Sequence, residues 1–175
     1  MSLNYRAYHR RGISTEAERF EAWHTSVAVA GRAGTPKPDI STVDAFKKTL
    51  LAAKSIVYAD PAKGGASGVY FAKVAERLGI ADALKSKTIL VPGAQAAEVV
   101  AKGEAELGIA QASEIVPVAG AELVGLFPGE LANTITFVGS ISSESKSAHE
   151  AQALFDFLGD PEARTALKAK GFQPG

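Results

Sequence analysis

The sequence predicts an α/β fold with a mostly parallel sheet and helices on both of its faces. Three observations carry that prediction. Short apolar runs of strand length alternate with stretches of helical period. Glycine and proline punctuate nearly every junction. One segment, Ser55-Ile-Val-Tyr-Ala-Asp-Pro-Ala-Lys-Gly-Gly-Ala-Ser-Gly-Val-Tyr70, reads as buried strand, Gly-rich loop and helix start in succession. Strands that alternate with helices favour a parallel sheet covered on both faces.

The elements follow in order. Residues Asn4 to Arg11 are polar and carry Arg6, Arg10 and Arg11, a basic cluster read as a solvated tail. Ser14–Trp23 reads as a short helix, with Ala17, Phe20 and Trp23 three apart, and Ser26–Ala30 as a strand ended by Gly31. Ser41, with Asp44 three residues on, looks like a capping-box start for a helix over Val43–Ala53. Strand Ile56–Ala59 precedes the Gly-rich loop, and a helix runs from about Gly68 to Leu78 with Phe71, Val74, Ala75 and Leu78 as its buried stripe. Gly79 is its C-cap. Thr88–Val91 is a strand, Gln95–Lys102 a short helix, Leu107–Ala110 a strand and Gln111–Ile115 a helical turn. Glu122–Leu126 and Asn133–Ile141 complete the strands, the latter with Ile135, Phe137 and Ile141 on one face. Two helices, Ala148–Leu158 and Glu162–Lys170, flank a Gly-Asp-Pro turn.

Composition narrows the function classes. At 175 residues the chain can bury a core as one α/β domain. Apolar residues make up 46% and the charges balance at 19 against 19, which indicates neither disorder nor a nucleic-acid footprint. No run approaches the roughly 18 apolar residues that span a membrane. The N-terminus is polar and lacks an apolar h-region, so no signal peptide is read. The absence of cysteine excludes disulfides and thiolate metal sites.

The Gly-rich loop is the strongest functional lead. A helix start carries unpaired N–H groups and a partial positive charge, so it can hold an anion without a basic side chain. Its plainer reading is structural: Ser67 is an N-cap, and Gly64, Gly65 and Gly68 permit a tight turn and close packing. Gly64-Gly-Ala-Ser-Gly68 lacks both the P-loop lysine and the Rossmann spacing. Asp60-Pro61 reads as a strand-ending turn, Gln111 and Ser113 as cleft-lining or capping residues, and Tyr58 and Tyr70 as core. Catalytic chemistry has little to stand on. His9, His24 and His149 are scattered, and Glu104 and Glu106 sit by a turn as solvated charge, so no catalytic residue, metal ligand or cofactor is expected.

Several segments, in order, carry a family resemblance: Pro36-Lys-Pro-Asp-Ile-Ser-Thr-Val-Asp-Ala-Phe46, Ala59-Asp-Pro-Ala-Lys-Gly-Gly-Ala-Ser-Gly-Val-Tyr70, Lys102-Gly-Glu-Ala-Glu-Leu-Gly-Ile-Ala110, Leu126-Phe-Pro-Gly-Glu130 and Ala153-Leu-Phe-Asp-Phe-Leu-Gly-Asp-Pro-Glu-Ala163. From about Ser26 to Gly175 the chain resembles the bacterial extracellular solute-binding proteins of the molybdate-binding type, the periplasmic receptors of ABC importers. The resemblance implies a type II binding-protein lobe over 26–145, an N-terminal extension with a short helix over 1–25, and C-terminal helices over 146–175 that would pack on a first lobe with no counterpart here.

What the resemblance implies for the site is a small anionic solute held by backbone amides and hydroxyls. The matching positions are Gly65, Ala66, Ser67 and Gly68 in the loop and helix start, and Ala110 and Gln111 after the Leu-Gly-Ile strand. Family members often offer a tyrosine in the strand that here reads Asn133-Thr-Ile-Thr-Phe137, where Thr136 or Thr134 would substitute. An inner-membrane ABC permease is the implied partner, with no nucleic acid, and the implied compartment is the periplasm, with the cytoplasm as the alternative that follows from the missing signal peptide. The surfaces that would meet a first lobe should be apolar, so a homo-oligomer or domain swap is expected. A non-enzymatic binding lobe is thus the leading reading. The alternatives are a non-transport sensor or oligomerising remnant of the same fold and, behind it, a transferase-type enzyme.

Overall fold

The computed structural model describes residues 19–142 and 144–174; the polar tail, His9 and the 14–18 part of the expected first helix lie outside the described residues. The chain divides into two compact units. The larger comprises Thr25–Ile135 and Lys170–Phe172; the smaller comprises Thr136–Ala169 with residues 19–24 and 173–174.

The larger unit is the predicted α/β layer. Strand β1 (Arg19–Arg32) is followed by α1 (Val43–Ala52), β2 (Ile56–Ala59), α2 (Ala66–Arg77), α3 (Ala81–Lys85), β3 (Thr88–Val91), α4 (Ala96–Ala101), β4 (Leu107–Gln111), α5 (Ala112–Ile115) and β5 (Ala121–Leu126). The sheet order is β3-β2-β4-β1-β5. The sheet is mixed: β2 runs parallel to both β3 and β4, whereas β1 runs antiparallel to β4 and β5. The parallel half is the part built from strand–helix–strand units. There every crossover returns over a helix, which puts strands of one direction side by side.

The core lies on both sides of that sheet. On one, Phe46 and Leu50 of α1 and Phe71, Val74 and Ala75 of α2 pack with Val27, Ile56 and Ile109. On the other, Ala96, Ala97 and Val100 of α4 and Ile115 of α5 pack with Ala28, Ala30 and Val57. Phe127 joins the first cluster with its ring centroid 4.7 Å from that of Phe46. The predicted stripe of α2 is therefore a real core face, although Leu78 is only partly buried.

Local details correct the sequence reading in several places. Arg19–Trp23 is strand, not helix: it is the start of β1, and Trp23, 4% exposed, pairs with Pro174. Sheet pairing overrides a three-residue apolar spacing too short to nucleate a helix unaided. Thr42 rather than Ser41 caps α1, its Oγ1 accepting from the Ala45 amide at 3.1 Å. The Ser41 amide instead donates to the Asp39 carboxylate at 2.9 Å. That bond is the main reason the Asp39 carboxyl sits below its ordinary pKa. Helix α3 was not anticipated; it is a five-residue piece with no side-chain cap.

In the smaller unit, β6 (Thr134–Ser140) supplies residues 136–140 and is followed by α6 (Ala148–Gly159), α7 (Pro161–Lys168) and the short β7 (Gln173–Pro174). Asp160 closes α6 and opens α7, with Pro161 in the first turn, where its missing N–H costs nothing. β7 pairs antiparallel with β1 at Trp23 and His24.

Candidate functional site

The carboxyl ends of β2 and β4 define the candidate site. These parallel neighbours are in register from Ile56↔Leu107 to Tyr58↔Ile109. Beyond that rung the chain leaves β2 towards β3 and leaves β4 towards β5, on opposite sides of the sheet. Strands whose exits diverge in this way leave a crevice at their carboxyl ends, where open α/β sheets bind ligands.

On the β2 side the residues explain the geometry one by one. Asp60 ends the strand and caps a single 3-10 turn, Pro61–Lys63, by accepting from the Ala62 amide at 2.9 Å. Gly64 then takes φ +79°, a left-handed conformation that glycine adopts without strain. Gly65 and Gly68 serve a different need. A Cβ on Gly65 would lie 2.6 Å from the Ala59 Cβ, and one on Gly68 would lie 1.8 Å from the Ala59 carbonyl oxygen. Helix α2 thus starts pressed against the end of β2, which only glycines at these two positions allow.

The helix begins earlier than its sequence suggests, at Ala66, with Gly65 as N-cap and no side-chain hydrogen bond to the cap. Ser67 is not the N-cap; it lies in the first turn, 3% exposed, and its hydroxyl makes no hydrogen bond among the described residues. The amides of Ala66, Ser67 and Gly68 occupy the first three helical positions, which have no intrahelical acceptor; the Val69 amide is the first to be bonded, to the Gly65 carbonyl at 2.9 Å. Unbonded, neutral donors thus gather at the positive end of a 12-residue helix, an arrangement chemically able to cradle an anion.

On the β4 side the donors of Gln111 are already engaged. Ala110 is buried at 1% exposure and paired with Ala28 of β1. Gln111 is the N-cap of α5, and its amide donates to Glu114 Oε2 at 3.0 Å while its Nε2 donates to Glu114 Oε1 at 2.9 Å. The carboxylate of Glu114 therefore occupies the helix start that an anion would otherwise approach. Two residues with no sequence signal support this end. Thr25, 2% exposed, accepts from the Ser113 amide at 3.2 Å. Gly171, at φ +83°, lies so close that a Cβ would meet the Ala112 carbonyl oxygen at 2.7 Å. Both are distant in sequence from what they touch, so no local pattern could have announced them.

The fold thus brings Gly65, Ala66, Ser67, Gly68, Ala110 and Gln111 to one edge of the larger unit. Thr136 belongs to the smaller unit, where it is exposed and its Oγ1 is hydrogen-bonded to His24 Nδ1 at 3.1 Å. Tyr58 and Tyr70 pack partly buried against the core: Tyr58 meets the Phe71 ring edge-on at 4.9 Å, and the Tyr70 hydroxyl donates to the Leu131 carbonyl at 3.1 Å. Among the described residues no group of three or more His, Asp or Glu is placed to hold a metal ion, and no helix is long and apolar enough to cross a membrane.

An α/β lobe with backbone donors at a strand-exit crevice is the architecture of solute receptors with the type II binding-protein fold. The chain belongs to the bacterial extracellular solute-binding protein family, which it matches over residues 5–173. It is 36% identical over 164 residues to an aconitate isomerase from Pseudomonas sp, covering 93% of this chain and 61% of that protein. It is also 36% identical over 134 residues to the molybdate-binding protein ModA of Azotobacter vinelandii, covering 73% of this chain and 50% of that protein. The chain therefore spans between half and three-fifths of the length of these relatives.

Solved structures agree on the fold. The substrate-binding domain of a putative molybdenum ABC transporter from Clostridium difficile superposes with a TM-score of 0.74 at 18% identity, over 98% of this chain and 72% of that one. The periplasmic molybdate-binding protein of Azotobacter vinelandii gives 0.72 at 20%, over 98% and 74%. The expected fold class and the molybdate-type family assignment both stand.

Proposed function

We propose that this chain is the solute-binding lobe of an ABC-importer receptor and that it holds a small oxyanion, such as molybdate, at the start of α2. The observation that carries the reading is the conjunction at Ser67: a first-turn residue only 3% exposed, whose hydroxyl has no partner among the described residues, beside three first-turn amides, at the strand-exit crevice. Gly65, Ala66, Ser67 and Gly68 supply the contacts. Ala110 and Gln111 line the edge next to them, and Glu114 must be turned aside before the Gln111 amide can donate. Thr136, whose Oγ1 is bonded to His24 Nδ1, is the further hydroxyl that the family resemblance offers. The lobe is read as 26–145, with 1–25 preceding it and helices over 146–175 following. Its partner is an inner-membrane ABC permease and its compartment the periplasm.

The mechanism is binding by aimed, neutral donors. A dianion held this way is released without breaking a salt bridge. Each helix-terminus interaction contributes about 0.3–1 kcal/mol, up to roughly 2 when partly buried, whereas micromolar affinity needs about 8 kcal/mol. One cradle alone therefore gives weak, millimolar binding.

One observation favours a second reading. The relative matched over 93% of the chain is an aconitate isomerase, so a small organic polycarboxylate is the competing ligand and carbon-acid chemistry the competing activity. Enzymatic action needs a base aimed at the bound acid, and the carboxylates of Asp60 and Glu114, which follow the ends of β2 and β4, are both hydrogen-bonded to the chain itself.

Amide NMR titration with molybdate, tungstate, sulfate, phosphate and aconitate separates these readings. Saturable shifts at Ala66, Ser67 and Gly68 with the tetrahedral anions are the expected result. No shift at millimolar anion makes the loop purely structural and sinks the proposal. Interconversion of aconitate isomers in the same tube replaces the receptor reading with an enzymatic one.

A further inference from the structure

The other end of the sheet carries a second concavity. A cleft of about 570 Å3 opens at the amino ends of β2 and β4 and the carboxyl end of β1, within the larger unit. Its position follows from the strand directions: Ser55 and Leu107 lead into β2 and β4, and Arg32 terminates the antiparallel β1. It is thus at the opposite edge of the sheet from the α2 cradle. Its volume falls within the several-hundred-Å3 range of small-molecule sites.

Charge in the cleft is uneven. Lys37 is neutralised by Glu122 at 2.8 Å and also donates to the Leu123 carbonyl at 3.0 Å. Glu106 is turned to the chain, accepting from the Lys54 amide at 2.7 Å. The Arg32 guanidinium and the Lys54 ammonium have no hydrogen bond or ion pair among the described residues. The lining therefore carries one positive charge in excess, and that charge includes a free planar fork.

Arg32 is also positioned. Its Nη1 would lie 3.1 Å from a Cβ on Gly103, so the guanidinium rests over a backbone that has no side chain and takes φ +78°. The facing rim, Thr35–Pro38, is held without any ligand. Pro36 and Pro38 fix two φ angles, the Thr35 hydroxyl donates to the Arg32 carbonyl at 2.7 Å, and Thr49 donates to the Asp39 carbonyl at 2.7 Å. Pro36, Pro38 and Val124 provide an apolar wall beside the fork. The Pro-Lys-Pro-Asp segment has no part in the α2 cradle; its place is here.

We propose that this cleft is a second ligand site, for a small organic monocarboxylate whose carboxyl meets Arg32 and whose hydrocarbon lies on the proline wall. Guanidinium and carboxylate match in a bidentate, charge-assisted pair, and a preformed rim removes the ordering cost of closing a loop on the ligand. Lys54 adds attraction without fixed geometry. The proposal is independent of what the α2 cradle binds.

Benzoate is the probe, titrated against the 15N-labelled chain, with benzyl alcohol and sulfate as controls. The expected result is saturable shifts at Gly103, Ala105 and Leu123 with benzoate, at least about tenfold weaker for benzyl alcohol and for Arg32→Gln. Arg32→Lys, which keeps the charge and loses the fork, should fall between. Arg32 is exposed, so unchanged core amides will report an intact fold. Equal responses to benzoate and sulfate would overturn the carboxylate assignment, as would equal binding by Arg32→Gln. Absence of saturation at tens of millimolar benzoate, or shifts confined to Ala66–Gly68, would overturn the site itself.

Discussion

The two units of this chain put their apolar residues to different ends. In the larger, Phe46, Phe71, Leu50, Ile56 and Ile109 are essentially excluded from water and make one packed cluster with their neighbours. In the smaller, α6 has no buried residue at all, and Leu154 and Phe157 are each 54% exposed. Phe137 and Val138 of β6 are 43% and 49% exposed. Burial, not composition, converts an apolar side chain into stability. The contrast predicts that equal truncations will have very unequal costs in the two units.

The largest effect should come from Phe71→Ala. Its ring is 1% exposed and meets Tyr58 and Phe127 edge-on, with centroids 4.9 and 6.2 Å away. Removing it leaves a cavity under α2, and a loss of about 3–5 kcal/mol is expected in chemical denaturation. A cost below about 1 kcal/mol would mean that the core is not packed as described.

Gly68→Ala should come next and acts by the opposite route. The added methyl collides with the Ala59 carbonyl oxygen, which belongs to the backbone and cannot rotate away. The start of α2 must lift from β2, at about 1–3 kcal/mol. Because those amides form the proposed cradle, anion-induced shifts should weaken in the same variant. A Gly68→Ala chain as stable as the parent would remove the close approach on which the site geometry rests.

The same contrast explains what the sequence could disclose. Strands β2, β3 and β4 and the stripe of α2 were legible because local apolar period and glycine punctuation agree with their tertiary setting. The segment Arg19–Trp23 was not: it is the start of β1, which pairs with β6 and β7, both far away in sequence. The site divides similarly. The Gly-rich loop advertises a helix start, but whether Gly64 or Gly68 serves a turn or a close approach depends on Ala59, which only the fold brings near. The Gln111–Glu114 clasp was hidden for another reason. A capping pair and a ligand-facing amide use the same residues at the same spacing, so the pattern alone cannot rank them. Thr25 and Gly171 act wholly through distant partners.

The smallest effect, and the sharpest use of the comparison, lies within α6 itself. Phe155 and Phe157 are two residues apart on one helix and identical in chemistry. The Phe155 ring lies against Gly139 of β6, where a Cβ would come within 2.6 Å of Cε1, whereas Phe157 is more than half exposed. Phe157→Ser should therefore change the unfolding free energy by no more than about 0.5 kcal/mol, as a surface substitution does. Phe155→Ser, which vacates the β6 contact and strands a hydroxyl there, should cost distinctly more. Sedimentation of the Phe157→Ser chain adds a second readout. Should the exposed apolar residues drive the self-association expected from their pattern, replacing this ring lowers the associated fraction at a given concentration. A Phe157→Ser variant as destabilised as Phe155→Ser would show instead that Phe157 is covered in solution, and the distinction between the two units would then fail at the helix where it is most pronounced.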